Sequence, residues 1–178
     1  SATLNPADYY INLLGLPETT QSLEVACPFD PAQLTVSIEP LSTRRDDRLA
    51  SLDALVDTMA RQFELQRGNY LAFFSSFDYL ELAFARLQTR HPAVPAWAQQ
   101  RQMGEASRHA FLQQFDGAGQ GIGFAVLGGV FGEGVDLPGR RLIGAFITTL
   151  GLPQFDAVNQ EISQRMQVRF GRGYDYTY

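Results

Sequence analysis

The sequence predicts an α/β domain built on a parallel sheet. Three observations carry this. Short apolar runs of four to six residues alternate with longer stretches whose apolar positions recur at three- and four-residue steps. Alternation of this kind implies parallel strands joined by helices on both faces. The 178 residues suit one domain with a piece of a neighbour, and the 45% apolar fraction is enough to form a core.

In chain order, Asp8 to Leu14 reads as a short helix, stopped by Gly15 and Pro17. Leu34-Thr35-Val36-Ser37-Ile38 alternates up to Pro40 and reads as a strand. Ser42 or Thr43 can cap the next helix, in which Leu49, Leu52, Leu55, Val56, Met59 and Phe63 form one apolar stripe ending near Gly68. Tyr70 to Phe74 is short, apolar and aromatic, the signature of a buried strand. Phe77 to Leu87 is helical. His91 to Trp97 holds Pro92 and Pro95 and reads as loop with a short strand, and Glu105 to Phe115 is a third helix. Ile122 to Leu127 is the next buried strand, Gly128 to Gly139 a loop, Leu142 to Thr148 another strand and Asp156 to Phe170 the last helix.

Composition narrows the function classes. The net charge of −5 does not advertise a nucleic-acid binder, although patch distribution matters more than the sum. All 14 basic residues are arginine. One cysteine, Cys27, excludes a disulfide framework and a cysteine-rich metal site within the chain; beside Pro28 and Phe29 it is expected to be a buried thiol. His91 and His109 are far apart with no partner motif, so no metal site is expected. No apolar run approaches the ~18 residues of a membrane span, and Ser1 to Pro6 lacks the build of a signal peptide. An intracellular protein is expected.

In open α/β sheets, ligands bind in loops past the carboxyl ends of the strands. Two such loops have unusual chemistry. Gly128 to Gly139 holds five glycines in twelve positions, with Glu133 and Asp136 as its carboxylates. Glycine lets backbone approach a ligand, and the carboxylates can accept from a ribose, a water or a facing arginine. A tight loop joining two core strands would look the same. Ser75-Ser76 places hydroxyls at a helix start, which suits a phosphate or an ordinary helix cap. Elsewhere the bland readings prevail. Gly117 to Gly123 precedes a strand, unlike a dinucleotide fingerprint, and is a flexible turn. Arg44, Arg45 and Arg48 read as a solvated helix start, Gln99 as a solvated loop residue, and Arg172 with Tyr174, Tyr176 and Tyr178 as a tail rather than a base-stacking platform.

Phe131-Gly132-Glu133-Gly134-Val135-Asp136-Leu137-Pro138-Gly139 resembles motif V of the XPD/DinG family of superfamily 2 DNA helicases. Gly68-Asn69-Tyr70-Leu71-Ala72-Phe73-Phe74-Ser75-Ser76-Phe77 resembles its motif IV, and Ser1-Ala2-Thr3-Leu4 its motif III. Ala98 to Gln100, Arg108 to Phe115 and Leu142 to Pro153 are similar to the intervening segments, so the likeness spans nearly the whole chain in order.

The resemblance implies a RecA-like, P-loop NTPase-type three-layer α/β/α fold. It implies that residues 1–25 are the tail of a first motor domain plus linker, and 26–178 the second motor domain, cut before motif VI. It further implies that Glu133 and Asp136 act catalytically across the domain cleft and that Gly132 and Gly134 border bound ATP. Ser75, Ser76, Gly128 and Gly129 would touch DNA, and Ser1, Ala2 and Thr3 would couple hydrolysis to movement.

The parent would translocate 5′ to 3′ on single-stranded DNA with ATP and Mg²⁺, in the bacterial cytoplasm at the nucleoid. Its first RecA-like domain would be this domain's partner and would carry any iron–sulfur cluster. With no lysine the chain has no Walker motif, so alone it is expected to be inactive. Two competing readings are a stand-alone nucleic-acid-binding module and a doubly wound small-molecule enzyme using Glu133 and Asp136.

Overall fold

The computed structural model describes residues 4, 7–17, 19–132, 134–151 and 156–177. They fall into two compact units, one drawn from residues 39–151 and the other from 1–38 and 152–178.

The larger unit contains α2 (Arg48–Leu65), β1 (Asn69–Phe74), α3 (Phe77–Arg90), β2 (Ala96–Ala98), α4 (Glu105–Gln113), β3 (Gly121–Val126) and β4 (Gly144–Ile147). The four strands form one sheet in the order β2-β3-β1-β4, and every pairing is parallel. The register sets Phe74 opposite Val126, Phe73 opposite Ile147 and Ala98 opposite Phe124. The carboxyl ends of β1, β3 and β4 therefore share one edge.

Side chains alternate between the two faces, as strand geometry requires. Tyr70, Ala72, Phe74, Ile122 and Phe124 enter one core with Leu52, Val56, Met59 and Phe63 of α2 and Leu80, Ala83 and Leu87 of α3. Leu71 and Ala125 enter a second core with Phe111 of α4, Phe115 and Phe131. The expected three-layer α/β/α arrangement is present. Burial of each large apolar side chain contributes roughly 1.5–3 kcal/mol, so both faces hold the sheet.

Two glycines on β3 follow from close approach. A Cβ at Gly121 would lie 2.5 Å from the Trp97 ring, and one at Gly123 would lie 2.5 Å from that of Phe115. Aromatic bulk from β2 and from Phe115, just after α4, fills the space a side chain would need. The glycine-rich stretch turns at Gly117 and Ala118 as expected, but its last residues, Gly121 to Gly123, belong to β3.

The smaller unit contains α1 (Ala7–Leu14) and α5 (Ala157–Phe170). Asp156 caps α5 by accepting from the Asn159 N–H, and Gly171 ends it in the left-handed region at φ 70°. Tyr176 is buried, edge-on to Tyr9 and tilted against Phe170, and Arg172 pairs with Asp8 at 2.8 Å. Arg172 and Tyr176 are thus packing elements of this unit.

Three expectations are corrected. Leu34 to Ile38 forms no strand, and Leu34, Val36 and Ile38 are exposed. Alternation needs a neighbouring strand to become a ladder, and none pairs there among the described residues. Cys27 is exposed rather than buried, in a segment without regular structure. α2 starts at Arg48 rather than after Ser42 or Thr43; Asp47 is its N-cap and Ser42 Oγ donates to Asp47 Oδ2 at 2.6 Å. Among the described residues, no helix is long and apolar enough to cross a membrane.

Candidate functional site

The chain leaves the adjacent strands β1 and β3 in different directions. β1 runs into α3, which packs on the α2 side of the sheet. β3 runs into the glycine-rich loop, whose Phe131, Val135 and Leu137 pack on the α4 side. Adjacent parallel strands with connections to opposite faces leave a crevice at their carboxyl ends, the usual ligand position in such sheets. Here Ser75 and Ser76 follow one strand and Leu127 to Gly129 the other. The Leu127 N–H donates to Phe74 O at 2.8 Å, which joins the two exits directly.

Ser76 is the N-cap of α3, with φ −160° and ψ 161°, and its Oγ accepts from the Tyr79 N–H at 3.3 Å. Its hydroxyl serves the helix start. Ser75 differs: its Oγ accepts from the Arg48 guanidinium at 2.7 Å. Arg48 also donates to Thr43 O at 3.2 Å and lies 4.4 Å over the Tyr79 ring. Burial pushes the Tyr79 phenol above its usual range, and the Arg48 charge opposes that shift.

The loop after β3 turns at Gly128, which has φ +77°, a conformation that any residue with a Cβ adopts only at a cost. Turn hydrogen bonds follow, from Gly129 N–H to Val126 O at 3.1 Å and from Gly132 N–H to Gly129 O at 2.9 Å. Phe131 then plugs the loop into the α4-side core, stacked on Phe111 at 4.3 Å. Between these anchors Gly128, Gly132, Gly134 and Asp136 face solvent. Asp136 is exposed, between Val135 and Leu137, which pack on the α4 side. Glu133 lies outside the described residues, as do Ser1, Ala2 and Thr3.

Gln99 is buried at 7% exposure, which corrects its reading as a solvated loop residue. Its Oε1 accepts from the Val126 N–H at 2.9 Å, and its own N–H donates to Phe124 O at 2.8 Å. The edge strand β2 ends at Ala98, so a side-chain amide continues the ladder alongside β3. At the end of β4, Thr148 is buried and donates Oγ1 to Phe73 O at 2.7 Å.

Arg101, just after β2, pairs with Glu81 at 3.0 Å and with Asp78 on α3. Those bonds, Glu81 first, raise its pKa further above the ordinary arginine value.

Sequence reasoning thus brought Ser75, Ser76, Gly128 and Gly129 to one edge, where the structure also sets them. It read Arg48 and Gln99 as solvated residues and passed over Thr148. One signal for Arg48 existed. Arginine at a first helical position opposes the helix dipole, so its charge is expected to serve another partner. An open depression of about 410 Å³, lined by Asp57, Arg61, Arg90, His91 and Val94 among others, lies at the amino-terminal end of β2 instead.

Compared with known protein families, the sequence matches the helicase C-terminal domain from residue 59 to residue 178, which takes in α3, α4, α5 and all four strands. That match covers more than half of the 178 residues, and the chain belongs to the helicase C-terminal domain family.

Proposed function

We propose that this chain is the second RecA-like motor domain of an ATP-dependent DNA helicase of the XPD/DinG type in superfamily 2. A helicase C-terminal domain is part of a helicase, so the activity belongs to a parent protein. In the proposed parent, residues 1–25 end the first motor domain and lead into the second, and Ser1, Ala2 and Thr3 couple the two. The strand moved is single-stranded DNA, travelled 5′ to 3′.

One observation carries the reading. The acidic glycine-rich loop leaves β3 at the edge where Ser75 leaves the adjacent β1, and its Asp136 is exposed. A loop pinned underneath and open above suits one wall of a cleft. Asp136 and Glu133 would face the nucleotide and the opposite domain, with Gly132 and Gly134 bordering the ATP. Ser75, Ser76, Gly128 and Gly129 would line the DNA side, where hydroxyl and backbone N–H groups serve phosphates.

The chain's own residues fit part of such a site. An exposed carboxylate can accept from a ribose hydroxyl, a water or an arginine of the facing domain. Phosphoryl transfer to water also needs a lysine and Mg²⁺ at the β- and γ-phosphates. With no lysine in this chain, those groups fall to the first motor domain, which would also carry any iron–sulfur cluster. A site split this way ties cleft closure to nucleotide state, and closure to movement of the strand.

The test is made in the intact parent. Glu133→Gln and Asp136→Asn are each expected to lower DNA-stimulated ATP turnover on the order of 10²-fold, the effect of removing one well-placed electrostatic group. Thermal unfolding should stay at the wild-type temperature. Turnover near wild type in both variants would remove the loop from the mechanism.

A further inference from the structure

Two half-buried arginines around the sheet have no carboxylate partner among the described residues: Arg141, which donates to Phe115 O at 2.9 Å on the α4 side, and Arg48, which stands beside Ser75. Arg61, Arg67, Arg86, Arg90 and Arg101 all pair with carboxylates. Arg48 is half-buried, and its partners are a carbonyl, a hydroxyl and an aromatic face. Among the described residues no carboxylate pairs with it. A partly desolvated cation without an anion is costly unless a ligand supplies one. Three contacts fix its planar fork, so little orientation remains to be lost on binding.

The direction of the hydrogen bond matters as much as the charge. Arg48 donates to Ser75 Oγ and so occupies one of the oxygen's lone pairs. The Ser75 proton must then point away from the guanidinium, and the hydroxyl is left to donate to another acceptor with a cation behind it. A donor of that kind selects an acceptor, and the adjacent charge selects an anionic one.

We infer that Arg48 is a positioning residue for nucleic-acid backbone binding: it orients the Ser75 hydroxyl as donor to a phosphodiester oxygen and supplies the countercharge to that phosphate. This rests on the reading of Ser75 as part of the DNA track.

The experiment measures binding of a fluorescein-labelled oligothymidylate to the 178-residue chain by anisotropy across a salt series. Arg48→Met is expected to weaken binding at low salt by roughly tenfold and to flatten the slope of log affinity against log salt by about 0.7, the value of one phosphate on a single strand. Arg48→Lys should recover the slope but only part of the affinity, because an ammonium lacks the planar fork. Ser75→Ala should weaken the wild type yet add little to Arg48→Met, since the two act as one unit.

A purely structural role predicts a lower melting temperature for Arg48→Met with slope and affinity unchanged, and that result would overturn the inference. A neutral Arg48→Met beside a weakened Ser75→Ala would overturn it while leaving the DNA track standing. Wild-type chain that fails to bind the oligonucleotide at low salt would sink the track and the inference together. Displacement of the strand by millimolar ATP in the wild type but not in Arg48→Met would assign the phosphate to the nucleotide, and would also overturn it.

Discussion

Phe131 is the peg of the candidate loop, so Phe131→Ala should loosen it. The side chain is 3% exposed and stacks on Phe111 at 4.3 Å with 22° between the rings. Truncating a buried phenylalanine costs about 3–5 kcal/mol through lost transfer energy and the cavity left behind. About 0.5–1.5 kcal/mol of that belongs to the aromatic pair itself. Phe131 sits in a loop whose backbone can settle into the gap, so the lower bound of about 3 kcal/mol is the better figure. For a chain of this size each kcal/mol moves the midpoint by roughly 2–4 °C. The expected fall is therefore roughly 6–12 °C, read by circular dichroism in thermal melts. Leu49→Ala, at a side chain 73% exposed, serves as the control and should move the midpoint by less than about 2 °C. Amide exchange should accelerate in the loop residues more than in β1. A Phe131→Ala midpoint no lower than that of Leu49→Ala would refute the claim that this ring anchors the loop.

Two further outcomes follow from the same geometry. Gly123→Ala places a Cβ 2.5 Å from Phe115 and 2.9 Å from Trp97, so it should destabilise the domain by about 1–3 kcal/mol through overpacking, visible as a lower urea midpoint at unchanged m-value. Asp57 is held at a pKa of about 2, first by its hydrogen bonds to Arg90 and then by that to His91. A depressed carboxylate contributes stability above its unfolded pKa of about 3.8 and loses it as pH falls through about 2. Asp57 is 42% exposed, so solvent screening keeps the contribution below about 1 kcal/mol; Asp57→Asn should lower stability slightly at neutral pH and converge with wild type at the acid end of an unfolding series.

How much of this was legible in the sequence depends on range. Local patterns carried the helices and strands well. Tyr70 to Phe74 and Ile122 to Leu127 read as continuous apolar runs because parallel strands are buried on both faces, and they became β1 and β3. The helix expected from Asp156 to Phe170 is α5, and Asp156 caps it by accepting from the Asn159 N–H. Leu34 to Ile38 shows the limit. Its alternation is as good as that of a strand, but pairing is a tertiary property that no window of five residues contains. The same limit hid the inner supports of the site. Arg48 and Ser75 lie 27 positions apart, and Gln99 and Val126 also lie 27 apart. A polar residue next to a short edge strand looks solvated until the orphan N–H beside it is known. The glycine-rich acidic loop was found because its chemistry is written within twelve consecutive residues.

The supports explain why the exposed residues can stay exposed. A loop of glycines has high conformational entropy and would not by itself present carboxylates in a fixed place. Here its two ends are tied by unlike devices. At the start, the Val126 and Leu127 N–H groups are held by Gln99 Oε1 and Phe74 O, so the turn at Gly128 begins from a fixed backbone. Beyond it, Phe131 is sealed in the α4-side core and Val135 and Leu137 pack against the same cluster. Asp136, between Val135 and Leu137, is thereby left to face outward without contributing to the core. On the other side of the crevice, Arg48 and the α3 cap hold Ser75 and Ser76 in the same manner. Residues committed to packing and residues free for a ligand alternate along each segment. Substitutions at the buried positions should therefore act on both rigidity and binding, whereas Asp136→Asn should act on function alone.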